Sequence, residues 1–345
     1  MTNYYKNVYI NNKYSLLAST RYEPIVKSNV DNCINDYYIK EKTIELAESK
    51  YQEITIEGLL KKTKLKEKNI NLLVSSDLQN QNLSSTLSAS KYNIPYLGIY
   101  SACAGFTEAL IIASEFINNK DEKAITTVSS HNLVSEKQFR FPVEYGALRK
   151  MVNTCTSTGS ISTLISNEKS NIKVESSTIG KVITMGHTDP NDMGSAMAPS
   201  CAETLHEHLK DTNRTIDYYD LILTGDLGIY GSKIMKEYYK KKYKVDLSNK
   251  NIIDSGSIYF TKENIYAGAS GPLCLPIIFF DYILPQNKYK KILLIATGSL
   301  HSVLSSNLKL EMPGISHAVS VEVKYWHTFY HSYFVEQSVL YHNTF

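Results

Sequence analysis

One order of elements occurs twice along these 345 residues, and it limits the available folds more than any other feature. Residues 71–75 (NLLVS) form an apolar run of strand length, closed by Ser76 and Asp77. Residues 95–117 then read as a strand (96–100), a turn of small residues (101–105) and a helix. In that helix Phe106, Ala109, Leu110, Ala113, Phe116 and Ile117 recur at three-and-four spacing, which buries one face. A second short strand, 124–128, ends in Ser129, Ser130, His131 and Asn132. The second half repeats this order. Residues 220–224 (DLILT) end in Gly225 and Asp226. Residues 265–281 are again strand, small-residue turn and apolar helix, and 291–296 (KILLIA) end in Thr297, Gly298 and Ser299. The intervals agree, with 27 residues from Cys103 to Ser130 and 28 from Ser270 to Gly298. Strands alternating with helices give mainly parallel sheets covered by helices. Two such halves predict a duplicated α/β protein with its site at the seam.

Composition narrows the class. At 43% hydrophobic and 21% charged residues, the chain has apolar material for one large domain or two fused ones. A formal net charge of +3 is too small to argue for nucleic acid, and lysine runs such as 240–244 read as solvated surface. Five cysteines (Cys33, Cys103, Cys155, Cys201 and Cys274) are odd in number, widely spaced and without a CxxC pair. That pattern fits a reducing interior better than a disulfide framework or structural zinc. The chain start lacks the cationic and apolar regions of a signal peptide. The most apolar window, 273–284, contains Pro276 and Asp281 and is too short to span a bilayer. The expectation is a soluble intracellular protein.

Elsewhere, residues 1–40 read as loops and short strands, 41–51 and 53–62 as helices, 137–148 as an ordered loop and 154–165 as a strand. His206 and His208, two apart, leave opposite sides of a helix. His187 and Asp189 beside Pro190 read as a tight turn, so neither pair predicts a metal site.

Cys103 stands where a strand becomes a helix start. Unpaired N–H groups and the helix dipole there favour an anion and ease loss of a thiol proton. A cysteine among alanines and a glycine also fits a small core residue. The string SACAGFTEAL (101–110) is similar to the nucleophile turn of β-ketoacyl synthase III enzymes, and the duplicated order around it resembles the thiolase fold. Over residues 73–322 the chain more closely resembles the stage V sporulation protein AD family, thiolase-like proteins of spore-forming bacteria. The matching segments are SSHNLVSEKQFRFPVEYGA (129–147), TIGKVITMGHTDPNDMGSAMAP (178–199), YYDLILTGDLG (218–228), GASG (268–271), ATGSL (296–300) and ISHAVSVE (315–322).

This resemblance implies a duplicated αβαβα fold, with halves at 1–170 and 171–322 and an atypical aromatic- and histidine-rich tail at 323–345. It also implies a protein without catalysis or cofactor that binds dipicolinic acid, free or as its calcium chelate, during uptake into the developing spore. The implied partners are membrane proteins of the same transport system at the forespore face of the spore inner membrane. A homodimer, pairing through a strand near 156–161, is the implied assembly.

Synthase III enzymes support their cysteine with a histidine and an asparagine. Here Thr224, Gly225 and Asp226 stand at the histidine position and 268–271 at the asparagine position. An ionised Asp opposes an oxyanion, so condensation is not expected. The alternative is acyl transfer by Cys103 with His131 or His317 as base. The ligand-binding set is Cys103, His131, Asn132, Asp226, Ser270, Arg140 and Arg149, with Asp77, Thr297 and His317 nearby at strand ends. Dipicolinate, a flat ring with two carboxylates, asks for donors at its ends and an apolar slot between.

Plainer roles compete. His131 could bond a backbone carbonyl, the arginines could pair with Glu136 or Glu144, and Asp226 could cap the turn 227–231, orient a donor or hold Ca²⁺. Two departures from the family pattern stand out. Ala104 and Gly105 replace a Ser-Thr pair after the cysteine. Pro272 and Leu273 replace small residues in the counterpart turn, which narrows the pocket.

Overall fold

The computed structural model describes residues 1–325 apart from 19–21, 119, 140–148 and 263–264. Ten strands carry the fold, five from each half. The first half supplies β1 (Tyr9–Ala18), β2 (Leu72–Ser76), β3 (Tyr96–Gly98), β4 (Lys123–Ser130) and β5 (Gly159–Ser166). The second supplies β6 (Ile172–Ile179), β7 (Leu221–Thr224), β8 (Ile252–Asp254), β9 (Lys291–Ser299) and β10 (Gly314–Val323). The lateral order is β3-β2-β4-β5-β1 in one half and β8-β7-β9-β10-β6 in the other. In each, β2–β3 and β2–β4, or β7–β8 and β7–β9, pair in parallel, and the next two pairings are antiparallel. Four of five strands per half therefore point the same way. The halves join edge to edge along β6, which pairs antiparallel with β1 (Tyr9 with Lys173, Ile10 with Ile172) and with residues 2–4 (Thr2 with Thr178, Tyr4 with Ser176).

Alternating side chains build five layers. Leu72, Val74, Leu221, Leu223, Ile292 and Leu294 face one common core. Their neighbours Leu73, Ile222, Leu293 and Ile295 face two outer cores, as period-two strands require. The common core holds two helices, α3 (Gly105–Ile117) and α8 (Cys274–Ile278), with Phe106 edge-on to Phe280 at 6.2 Å. On the outside lie α1 (Ile44–Thr63) and α2 (Leu83–Ala89) in one half, and α5 (Met193–Asp211) and α6 (Gly228–Tyr243) in the other. Two short helices, α4 (Asn132–Phe139) and α7 (Ser255–Ile258), follow β4 and β8. The fold is thus the duplicated α/β arrangement expected from the repeat.

Several local readings need correction. Residues 41–51 and 53–62 form one helix, α1: the Thr43 side chain caps its start, nothing at position 52 breaks it, and Lys64 ends it with φ 57°. The core strand of the second unit is β8, not 265–270. Tyr266 (φ 50°) and Gly268 (φ 109°) cannot sit in an extended strand, and only Ala269–Ser270 pairs, in parallel with Cys155–Thr156. The 154–165 run is accordingly split at Ser157 and Thr158. β5 is buried throughout and bonded on both sides, to β1 and β4, so it has no edge to offer a second copy. The first-half sheet ends instead at β3, beside the exposed Leu97 and Tyr100. The loop read at 137–148 begins inside α4, and its remainder, with Arg140 and Glu144, lies outside the described residues, as does the tail from 326. Among the described residues, no helix is long and apolar enough to cross a membrane.

Candidate ligand-binding clefts

After β3 the chain reverses through Ala102, whose φ of 50° is costly for a residue with a Cβ, and a 3₁₀ turn over Ala102–Ala104 runs straight into α3. Two glycines let neighbouring strands seat this turn. A Cβ on Gly298 of β9 would collide with the Ser101 carbonyl oxygen, and one on Gly105 would collide with Ser76 Oγ. Cys103 is thereby held at the positive end of α3, beside a cleft shared by the two halves.

The first half contributes Leu78, Tyr100, Ala102, Cys103, Ser135 and Phe139 to this cleft. The second contributes Met193, Ser270, Ser299 and His301, and Thr156 lines it from the seam. Ser270 is fixed from three sides. Its Oγ accepts from Thr154 Oγ1 at 2.8 Å, and its carbonyl accepts from Ser157 N at 2.8 Å and Ser157 Oγ at 3.0 Å. His301 packs against Phe139, ring centres 5.0 Å apart, with Nδ1 3.1 Å from Ser299 Oγ. Among the described residues, no Asp or Glu lines this cleft.

The structure separates the residues that the sequence grouped together. Cys103 and Ser270 share the first cleft. Asn132 and Arg149 line a second cleft, which shares Thr156 with the first. Arg149 also takes the plainer role foreseen for it, facing Glu136 Oε1 at 3.4 Å and donating from Nη1 to Cys155 Sγ at 3.3 Å.

His131 belongs to neither cleft. It is buried against Tyr51, Nε2 donates to the Tyr37 carbonyl at 3.2 Å, and Nδ1 accepts from Leu133 N at 3.2 Å. Burial lowers its pKa to about 4, the Tyr37 carbonyl acting against this, so it is a neutral core histidine. His317 is likewise buried, with Nδ1 accepting from Gly180 N at 3.2 Å and its pKa lowered by burial to about 4. Thr297 donates to the Gly225 carbonyl. His317 Nε2 lies 3.4 Å from Ser101 Oγ, two residues before Cys103, whereas both ring nitrogens of His131 are turned to backbone groups.

Asp226 is fully buried and is not among the residues lining either cleft. It caps nothing. Asp254 performs the capping, accepting from Gly228 N (2.8 Å), Leu227 N (3.2 Å), Thr224 Oγ1 (2.9 Å) and Ser257 N (3.1 Å). Neither Asp226 oxygen completes a hydrogen bond among the described residues. Burial and the nearby Asp254 raise its pKa well above the usual carboxylate range, outweighing Cys274 and Gly271, which act the other way. A raised folded-state pKa contributes stability that is present below the ordinary Asp value and is lost as pH rises toward the folded value. Asp226→Asn is therefore expected to gain on the wild type by about 1.4 kcal/mol per pH unit through that window. Urea unfolding of both proteins across pH 4–8 tests this, and parallel stability curves would contradict it. Among the described residues, no group of three His, Cys, Asp or Glu side chains is placed to hold a metal.

His301, Ser299, Phe139 and Met193 were not anticipated. The rule that ligands gather beyond strand ends points to His301, two residues after β9, but the strand-end motif read from the sequence stops at Ser299.

The family model of stage V sporulation protein AD matches residues 2–322. The chain belongs to that family. Stage V sporulation protein AD of Bacillus subtilis (strain 168) is 38% identical over 298 residues, 85% of this chain and 87% of that protein. A crystal structure of OleA from Xanthomonas campestris superposes with a TM-score of 0.60 at 12% identity, covering 92% of this chain and 100% of that one. Cerulenin-bound OleA gives 0.59 at 12% identity, covering 92% and 100%. ChlB3, described as an acyltransferase, gives 0.56 at 10% identity, covering 92% and 98%. These structures share the thiolase-like fold with the family.

Proposed function

We propose that the Cys103 cleft is a non-catalytic binding site for dipicolinate, used while that compound enters the developing spore. The protein then works at the forespore face of the inner membrane beside membrane-embedded partners. The observation that carries this reading is the make-up of the cleft. Apolar surfaces from Leu78, Phe139 and Met193 are interleaved with Ser270, Ser299, His301 and the start of α3, and among the described residues no carboxylate lines it. Such a lining suits a flat aromatic dianion. Thiolase-type acid–base chemistry lacks its groups here: Asp226 is sealed away, and Ala269 and Ser270 occupy the asparagine turn.

Calorimetric titration with dipicolinate is expected to give saturable binding, weakened at least tenfold by His301→Ala. Cys103 should also be protected from iodoacetamide when ligand is bound. Heats equal to those of buffer would sink the proposal. His131→Ala and Asp226→Ala should act on stability rather than on affinity.

One observation favours a second reading, acyl transfer: Cys103 and His301 line the same cleft. Incubation with an acyl-CoA would then leave an acyl mass on Cys103 that is absent from His301→Ala. An unmodified wild-type protein at neutral pH would dismiss it.

A further inference from the structure

We infer that the outer face of α6 is a docking surface for an anionic lipid bilayer. One side of this helix is committed to the fold: Met235 and Tyr239 are buried in the outer core, and Gly231 packs against Gly194 of α5. The opposite side is exposed along the length of the helix. Tyr230, Lys233, Ile234, Glu237, Lys240 and Lys241 follow three-and-four spacing and therefore share one stripe.

Charge is concentrated on this helix. From Gly228 to Lys244, the left-handed residue that ends it, six lysines stand against one glutamate, a net charge of +5. The whole chain carries only +3, so everything outside the segment is net negative. Two of the lysines are paired, Lys240 with Asp246 and Lys242 with Glu203, each at 2.6 Å. Lys233, Lys236 and Lys241 make no ion pair among the described residues, so their charge is left for an outside partner. Lysine clusters of this size on an amphipathic helix are drawn to the phosphate groups of an anionic bilayer.

Exposed apolar side chains decide which polyanion fits. Tyr230 and Ile234, one turn apart, occupy the first part of the stripe, and Val245 follows directly on Lys244 at its far end. A duplex phosphate backbone offers such groups nothing. The boundary between headgroups and acyl chains accepts an aromatic and a branched aliphatic side chain while lysines beside them reach the phosphates. The apolar end of the stripe is also the end near the first cleft, since Gly231 meets Gly194 and the adjoining Met193 lines that cleft. This lipid contact rests on the membrane setting of the proposed function, not on dipicolinate.

Cosedimentation of the full chain with vesicles is the test. Binding is expected with mixed phosphatidylglycerol and phosphatidylcholine, absent with phosphatidylcholine alone, and reduced by added salt. The triple variant Lys233→Gln, Lys236→Gln, Lys241→Gln should weaken it by about tenfold or more, and Ile234→Ser severalfold. The triple variant Lys64→Gln, Lys66→Gln, Lys68→Gln removes the same charge from exposed sites in the first half and should change it less than about twofold. Circular dichroism establishes that each variant folds. The inference is overturned if wild-type protein stays in the supernatant with phosphatidylglycerol vesicles, if the two triple variants bind alike, or if Ile234→Ser binds as the wild type does. Tighter binding to a DNA duplex than to these vesicles overturns it as well. Dipicolinate calorimetry on the same variants is a separate measurement, so failure of either leaves the other standing.

Discussion

Replacing Glu48 by glutamine is expected to raise stability at pH 8 by up to about 5 kcal/mol relative to the wild type, with little difference near pH 4.5. Glu48 lies on α1 and is sealed behind the first-half sheet. Its oxygens accept from Gln79 Nε2 at 2.9 Å and Ser129 Oγ at 3.0 Å. Burial first, and then the Asp77 carboxylate, push its pKa up to about 8. Asp77 is the better holder of the pair's single charge, since it accepts two backbone N–H bonds, from Gln79 and Ser85, each 2.8 Å. In the unfolded chain Glu48 ionises near its ordinary value, whereas in the folded chain it keeps a proton up to pH 8. Between those values the folded state binds the extra proton, so wild-type stability falls by about 1.4 kcal/mol per pH unit as pH rises. Glutamine occupies the same space with no proton to lose. Urea unfolding at pH 5, 6, 7 and 8 reads the widening gap, and a constant difference would refute the shared-proton account.

The second large effect concerns Gly298. An alanine there is expected to cost about 3 kcal/mol and to disturb the Cys103 turn, because the added carbon meets the Ser101 carbonyl and lies 3.2 Å from Ala104 N. Both are backbone atoms, and neither can swing aside as a side chain would. The turn must shift, and with it the start of α3 and one wall of the first cleft. The checks are a lowered urea midpoint together with an altered iodoacetamide rate at Cys103. A variant with wild-type midpoint and wild-type alkylation would show that β9 and the turn are less tightly seated than described.

The fold was legible because its signals are local. The apolar strands at 71–75, 220–224 and 291–296 and the three-and-four pattern of α3 do not depend on distant partners. β8 escaped notice because three residues, Ile252–Asp254, carry too little periodicity, while the apolar run after Ile265 looks stronger than it is. The site was legible only in part. Cys103 and Ser270 could be placed from strand-end position. Asp226 sits at the matching position in the second half, yet its complete burial is a packing outcome that no spacing reveals. His131 illustrates the same limit, because a histidine beyond a strand end faces either a ligand or its own backbone. Here the Tyr37 carbonyl, 94 residues away in sequence, decides the matter. The division into two clefts follows from the Cys155–Thr156 pairing with Ala269–Ser270, a contact between halves that neither half encodes alone.

The back-to-back packing of α3 and α8 also bears on how the chain is made. The apolar face of α3 rests on residues from Leu273 to Phe280, so it leaves the ribosome about 170 residues ahead of its cover. At ordinary elongation rates that interval is on the order of 10 to 30 seconds. Throughout it, a helix bearing Phe106, Leu110 and Ile117 stands beside an unfinished sheet with its apolar side in water. Until the second half arrives, nothing in the first half supplies the cover that α3 has in the finished fold, so that interval is when its apolar face is most prone to stray association.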